Sequence, residues 1–179
     1  KSSGGMKDCY FSTNKKYVCL VFRDAKHNNP ANKERLEIIC GLYKQRIFQE
    51  AGGEYWKNLF VWPEHVFVWN GKLGITSAFY DSKFFFSSGR FKGQEKEGKW
   101  FASAKLRNKF IEPEHKGTFS SNILMCLKIA RAVRRMHAAG LAHSDLSYKN
   151  ILVDPSTGSA CVIDCDGLVV PGKFPPDVV

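Results

Sequence analysis

The segment that most constrains this chain runs from Ser120 to Gly167. It opens with a helical period, Ile123, Leu127, Ala130, Val133 and Met136 on one side and Lys128, Arg131 and Arg135 on another, and Gly140 stands where a helix terminator belongs. A polar run from His143 to Asn150 follows. Two short apolar strands, Ile151 to Val153 and Ala160 to Ile163, are then joined by a turn written in Asp154, Pro155 and Gly158. The second strand ends in a carboxylate, Asp164, with Asp166 and Gly167 just beyond. Helix, polar loop, hairpin and acidic turn in this order put Asp145, Asn150 and Asp164 at the ends of short, rigid elements. Two acidic turns that merely flank a hairpin would not need that order.

Residue by residue, the run His143-Ser144-Asp145-Leu146-Ser147-Tyr148-Lys149-Asn150 matches the protein-kinase catalytic-loop pattern H-R-D-L-x-x-x-N at every fixed place except the Arg, which is Ser144. Phosphoryl transfer needs a carboxylate at the accepting hydroxyl and an amide oxygen on a metal ion, which assigns those roles to Asp145 and Asn150. Val162-Ile163-Asp164-Cys165-Asp166-Gly167 stands where a kinase carries D-F-G. Cys165 replaces the Phe and Asp166 the Gly, so Asp164 is the expected metal ligand and Asp166 a second one. The expected charge-neutralising cation is Lys149, four residues after Asp145. Loss of the Arg at Ser144 removes the usual receptor for a phosphorylated activation loop.

The front half fits less closely. Ser3-Gly4-Gly5-Met6-Lys7-Asp8-Cys9-Tyr10 resembles the end of a bacterial kinase Gly-rich loop, with Lys7 in the last Gly place, and Gly4, Gly5 and Met6 become candidate phosphate contacts. A flexible Ser/Gly tail is the alternative. The strand lysine of V-A-I-K is missing, and Leu20-Val21-Phe22-Arg23 puts Arg23 in its place, an exchange that is not conservative at a phosphate site. Its helix partner would be Glu37, or Glu34 in another register, unless these are plain surface charges.

Periodicity supplies the remaining elements. Two strands flank the polar turn Ser12 to Lys16, and a helix opens at Pro30 with Leu36, Ile39, Cys40, Tyr43 and Ile47 at helical spacing. Asn70-Gly71 between Val66 to Trp69 and Leu73 to Phe79 is the strongest hairpin signal. Residues 81–118 are basic and rich in Phe and Gly. They read either as a solvated insertion packed down by its aromatics or as a surface for an acidic partner or nucleic acid.

Twenty-seven Lys and Arg against 17 Asp and Glu give a net charge of +10, which favours anionic partners. With 44% hydrophobic residues the chain can bury a real core, and no run approaches the roughly 18 to 20 apolar residues of a membrane helix. The six cysteines form no C-x-x-C pair, so zinc-ribbon and thioredoxin readings lack their spacing, and buried thiols in a reducing cytoplasm are expected. The missing initiator Met suggests a fragment.

The stretch from Ala132 through Asn150 and on from Asp164 to Gly172, with Glu54 to Phe60 and Lys99 to Lys105, resembles bacterial kinases joined to a C-terminal helix-hairpin-helix domain. Those kinases are encoded with von Willebrand-type and phosphatase partners in tellurite-resistance-type stress operons. The resemblance implies an α+β bilobal kinase fold, with an N-lobe over residues 1–80, the insertion 81–118 and the start of the C-lobe over 119–179. It also implies ATP with magnesium, transfer to Ser or Thr hydroxyls, and DNA contact only through the helix-hairpin-helix part, which lies outside this chain. The chain stops at Val179, before an A-P-E-like segment, so the peptide platform is expected to be incomplete. Three other readings stand beside this one: a small-molecule phosphotransferase, a pseudokinase that scaffolds or senses nucleotide, and a nucleic-acid binder using residues 83–109.

Overall fold

A computed structural model describes residues 2–3, 6–49 and 52–173. One lobe is an antiparallel sheet in the order β1-β2-β3-β5-β4, built from β1 (Ser2–Ser3), β2 (Lys7–Phe11), β3 (Tyr17–Phe22), β4 (Pro63–Trp69) and β5 (Lys72–Ala78). The expected hairpin closes at Asn70 (φ 50°) and Gly71 (φ 73°), two successive left-handed residues that a tight turn demands.

Between β3 and β4 runs the expected helix, as α1 (Pro30–Ile38), a π-helical turn (Ile39–Tyr43) and α2 (Lys44–Phe48). The Asn29 side chain accepts from the Asn32 amide at 2.8 Å and Pro30 takes the first position, where no N–H is needed. Wider winding at Ile39 leaves a carbonyl for the Trp62 indole N–H at 3.0 Å, which ties the helix to the strand side of the core. A short α3 (Gly53–Lys57) follows.

The second lobe centres on α7 (Phe119–Ala138), capped by a reciprocal Thr118 and Ser121 pair. Of the five residues the sequence put on one side, Met136 is buried and Val133 packs beside it, but Ile123, Leu127 and Ala130 are exposed, and Met125, Ile129 and Ala132 complete the packed side. The helix is apolar on more than one side, and the hairpin of β7 (Ile151–Asp154) and β8 (Ser159–Val162) selects the methionine side. Gly117 (φ 65°) permits the close passage before α7, since a Cβ there would lie 2.4 Å from the Pro155 carbonyl oxygen. The main core joins both lobes, with Ile39, Ile47 and Trp62 in one cluster with Met136, Val153 and Leu168.

Residues 81–118 pack down on their aromatics, with Phe84 and Phe86 buried, and carry α4 (Lys99–Ala102), α5 (Ala104–Phe110) and α6 (Pro113–Lys116). They are less solvated than their charge suggested. Residues 96–98 run along β7 like a third strand, through Val153 N–H to the Lys96 carbonyl (2.9 Å) and Gly98 N–H to the Ile151 carbonyl (2.8 Å). The Lys96 ammonium is buried on Asp154 (2.8 Å) and on the Lys83 carbonyl (2.8 Å). On the other edge of this hairpin, Phe60 bridges Val162 in parallel. Cys161 and Cys165 are buried as expected, whereas Cys126 is exposed.

Candidate functional site

A cleft of about 620 Å³ opens under the sheet, roofed by Cys9 and Phe11 of β2 and Val18 and Leu20 of β3, with Ser77, Phe79 and Tyr80 behind and Phe85 and Glu95 of the insertion beside them. Register explains the roof. Directly paired residues of an antiparallel sheet share a face, and Lys7 pairs Phe22, Cys9 pairs Leu20 and Phe11 pairs Val18. Lys7, Cys9 and Phe11 therefore share one face of the sheet; Cys9 and Phe11 line the cleft, and Lys7 lies on the same face just past its lining.

The His143–Asn150 loop does not line this cleft; it forms the floor of the site beyond it, where Lys7 of the sheet reaches Asp164. The Asp145 amide donates to His143 Nδ1 at 3.2 Å, so the other ring nitrogen, Nε2, carries the proton and donates to the Ile163 carbonyl at 3.1 Å. One imidazole thus ties the loop to the strand that delivers Asp164. The Asn150 amide nitrogen donates to the Asp145 carbonyl (2.7 Å) and to its Oδ2 (3.1 Å), fixing the two side chains five residues apart. β6 (Ala142–His143) pairs with β9 (Leu168–Val169), and the Ile163 amide donates to the Asn150 carbonyl, so both ends of the acidic turn are held. Lys149 is exposed beside this loop, with no carboxylate partner among the described residues.

Asp164 takes the left-handed conformation (φ 61°, ψ 35°). That is uncommon for a side chain other than Gly or Asn and costs on the order of 1 kcal/mol or more. The Lys7 ammonium bridges the turn, at 2.7 Å from Asp164 and 2.8 and 2.7 Å from the two oxygens of Asp166. Burial works against the charge on Lys7, but Asp166 and Asp164 outweigh it and raise its pKa above the ordinary value. Burial also opposes ionisation of Asp164, yet Lys7 holds that carboxyl below the usual range, while Asp166, deeper still, is pushed up. Arg35 of α1, only 3% exposed, donates to the Asp166 carbonyl (2.8 Å) and the Leu168 carbonyl (2.7 Å), so a helix holds the turn by its backbone.

The other front-half candidates are not brought to the cleft. Arg23 follows Phe22, so strand alternation aims it away from the face of Leu20 and Phe22, and its nearest carboxylate is Asp8 at 3.9 Å. Glu37 pairs with Lys33 one turn back, and Glu34 with Lys173. The expected pairing of Arg23 with either glutamate does not form. Met6 is exposed and lies beside Arg23. Gly4 and Gly5 lie outside the described residues. Lys7, which the sequence assigned to a glycine place, is the residue that reasoning missed; its signal was the alternation Lys7, Cys9, Phe11.

The donor set can be tested against a divalent cation. Asp164, with a 39% exposed side chain, and Asn150 offer hard oxygen donors suited to magnesium. Both oxygens of Asp166 are engaged by Lys7. Among the described residues no group of three or more His, Cys, Asp or Glu could hold a metal by itself.

Over residues 113–167 the chain matches the lipopolysaccharide kinase (Kdo/WaaP) family. It also resembles the crystal structure of the PknI kinase domain of Mycobacterium tuberculosis, a cysteine-to-alanine mutant, at a TM-score of 0.55 and 12% identity over 92% of this chain. The match spans 56% of that domain. No curated protein matches the sequence. The fold is the bilobal, protein-kinase-like α+β fold that the sequence resemblance implied. Among the described residues no helix is long and apolar enough to cross a membrane.

Proposed function

We propose that this chain forms the nucleotide cleft and catalytic loop of an ATP- and magnesium-dependent kinase acting on protein Ser or Thr hydroxyls. The observation that carries the reading is the floor of the site: Asn150 bonded to Asp145, His143 tying that loop to the strand that delivers Asp164, and Lys7 joining Asp164 to the sheet that roofs the neighbouring cleft. An adenine ring fits between Cys9, Val18 and Leu20, with its phosphates toward Lys7 and Asp164.

Asp145 accepts the proton as the hydroxyl oxygen bonds to the γ-phosphorus and the bond from that phosphorus to the bridging oxygen breaks, releasing ADP. Asn150 and Asp164 would hold magnesium, which when bound neutralises charge on the phosphates. Lys149, exposed on the same loop, is the proposed cation for charge on the transferred group, and the backbone at Gly4 and Gly5 is the proposed phosphate cover. In keeping with the family resemblance, a cytoplasmic stress-signalling role with phosphatase and von Willebrand-type partners belongs to this proposal.

A second reading has its own support. The match to the lipopolysaccharide kinase family falls on the loop and hairpin that carry the chemistry, which favours a sugar hydroxyl on a glycolipid as acceptor. Both readings share Asp145. Incubation with γ-labelled ATP and either protein or lipopolysaccharide separates them by which product carries label. Asp145→Ala should lower turnover by about 10²- to 10⁴-fold with ATP binding retained. Unchanged turnover in that variant would remove the catalytic assignment.

A further inference from the structure

We propose that Lys7, on the second strand, is the cation that grips the nucleotide phosphates, with Asp166 of the acidic turn as its anchoring carboxylate. The inference rests on the phosphotransferase reading above and names a residue for it.

The third strand has no cation to offer. On the face it shares with Lys7 it carries Val18, Leu20 and Phe22, all apolar, and Arg23 falls on the other face. On the neighbouring strand, Lys7 pairs with Phe22 and shares the face of Cys9, so its stem runs along the roof and its ammonium ends at Asp164. The side chain is 10% exposed, and the ring of Phe22 lies 5.6 Å from the ammonium. A lysine buried in this way would be costly unless each N–H were satisfied, and the three donors are: two on the oxygens of Asp166 and one on Asp164.

The two carboxylates are not equivalent. The Asp166 side chain is 5% exposed and its backbone is latched by Arg35, whereas that of Asp164 is 39% exposed. Lys7 therefore keeps two bonds to a fixed partner and has one to exchange. When phosphate enters, a phosphate oxygen replaces Asp164 on that third N–H, and Asp164 is freed for the cation that accompanies the phosphates. Asp166 does the anchoring that a helix glutamate would otherwise do, and neither Glu34 nor Glu37 is needed.

An acyl phosphate of ATP tests this on the unaltered protein. The lysine ammonium beside the phosphates first loses a proton to water; the resulting amine attacks the acyl carbon, forming a C–N bond as the acyl–oxygen bond breaks, ATP leaves, and a second proton passes from nitrogen to water. Mass spectrometry should find the acyl group on Lys7, suppressed at least tenfold by excess ATP with magnesium. In parallel, Lys7→Met should weaken ATP binding at least ten times more than Arg23→Met does. Protected label on another lysine, Lys149 for instance, with Lys7 unmodified, overturns the proposal, as does a folded Lys7→Met that binds ATP within threefold of the unaltered protein. Should Lys7→Met fail to fold, the labelling result decides. Absence of any ATP binding by the unaltered protein removes both this inference and the kinase reading. Binding that is lost in Asp164→Ala, with label away from Lys7, removes this inference alone.

Discussion

The floor of the site draws Asp145, Asn150 and Asp164 from one stretch of chain, residues 145–164, whereas the roof and its supports draw Lys7, Leu20 and Arg35 from three elements that meet only through sheet register and helix packing. On the floor, bonds between near neighbours in sequence fix the geometry, such as Asn150 to Asp145. On the roof, the decisive bonds span the molecule, Lys7 to Asp166 and Arg35 to Leu168. A local motif tolerates little change in spacing. A long-range contact can be supplied from whichever strand presents the right group to the shared face.

The contrast breaks most easily at the floor. If Asp145→Asn, which keeps shape but not the basic oxygen, retains more than a tenth of the phosphoryl-transfer rate, the floor is not the chemical part, since general-base assistance is worth about 10²- to 10⁴-fold. Next in size is the support beneath it. Lys96→Met leaves Asp154 buried without its cation and should destabilise by about 3–5 kcal/mol in denaturant unfolding. Adding Asp154→Leu to that variant should recover much of the loss. The same pair gives a pH signature. Burial opposes ionisation of Asp154, but the Lys96, Thr157 and Ser156 bonds hold its carboxyl below the ordinary 3.8. Its stabilising contribution is therefore complete above that value and lost as pH falls below it, so an Asp154→Asn variant should show a flatter acid arm in unfolding free energy.

A smaller effect sharpens the account of the roof. Arg35→Met removes two buried bonds to carbonyls and should cost about 1.5–3 kcal/mol, with weakened ATP binding because Asp166 loses its latch. Smallest of all, Glu37→Gln removes only the surface pair with Lys33 and should change stability by less than about 0.5 kcal/mol. A large loss of ATP binding in Glu37→Gln would restore the helix glutamate to the cleft.

What the sequence made legible follows the same division. His143 through Asp164 could be read because helix, loop and hairpin are contiguous, and the Asn70-Gly71 turn carried its own chemistry. The third strand was found, but counting four letters to Arg23 ignored that alternate residues face opposite ways; Val18, Leu20 and Phe22 already showed which face was apolar. Lys7 was hidden by its neighbours, since a glycine-rich run draws attention to backbone rather than to the one long side chain beside it. Arg35 lay among helix charges with nothing local to mark it as buried. The packed side of α7 was misjudged at Ile123 and Leu127, because a helix apolar on two sides leaves its partner to choose.

The insertion that lies along β7 through residues 96–98, with Phe60 bridging β8, has a consequence for colloidal behaviour. A two-stranded ribbon as apolar as Ile151 to Val153 and Ala160 to Val162 would, with bare edges, be a template for joining other chains. Here each edge is already occupied by a segment of its own molecule. Trimming residues 81–118 to obtain a smaller kinase core would uncover one of those edges, and the shortened protein should come out of solution as β-rich aggregate rather than as a leaner enzyme.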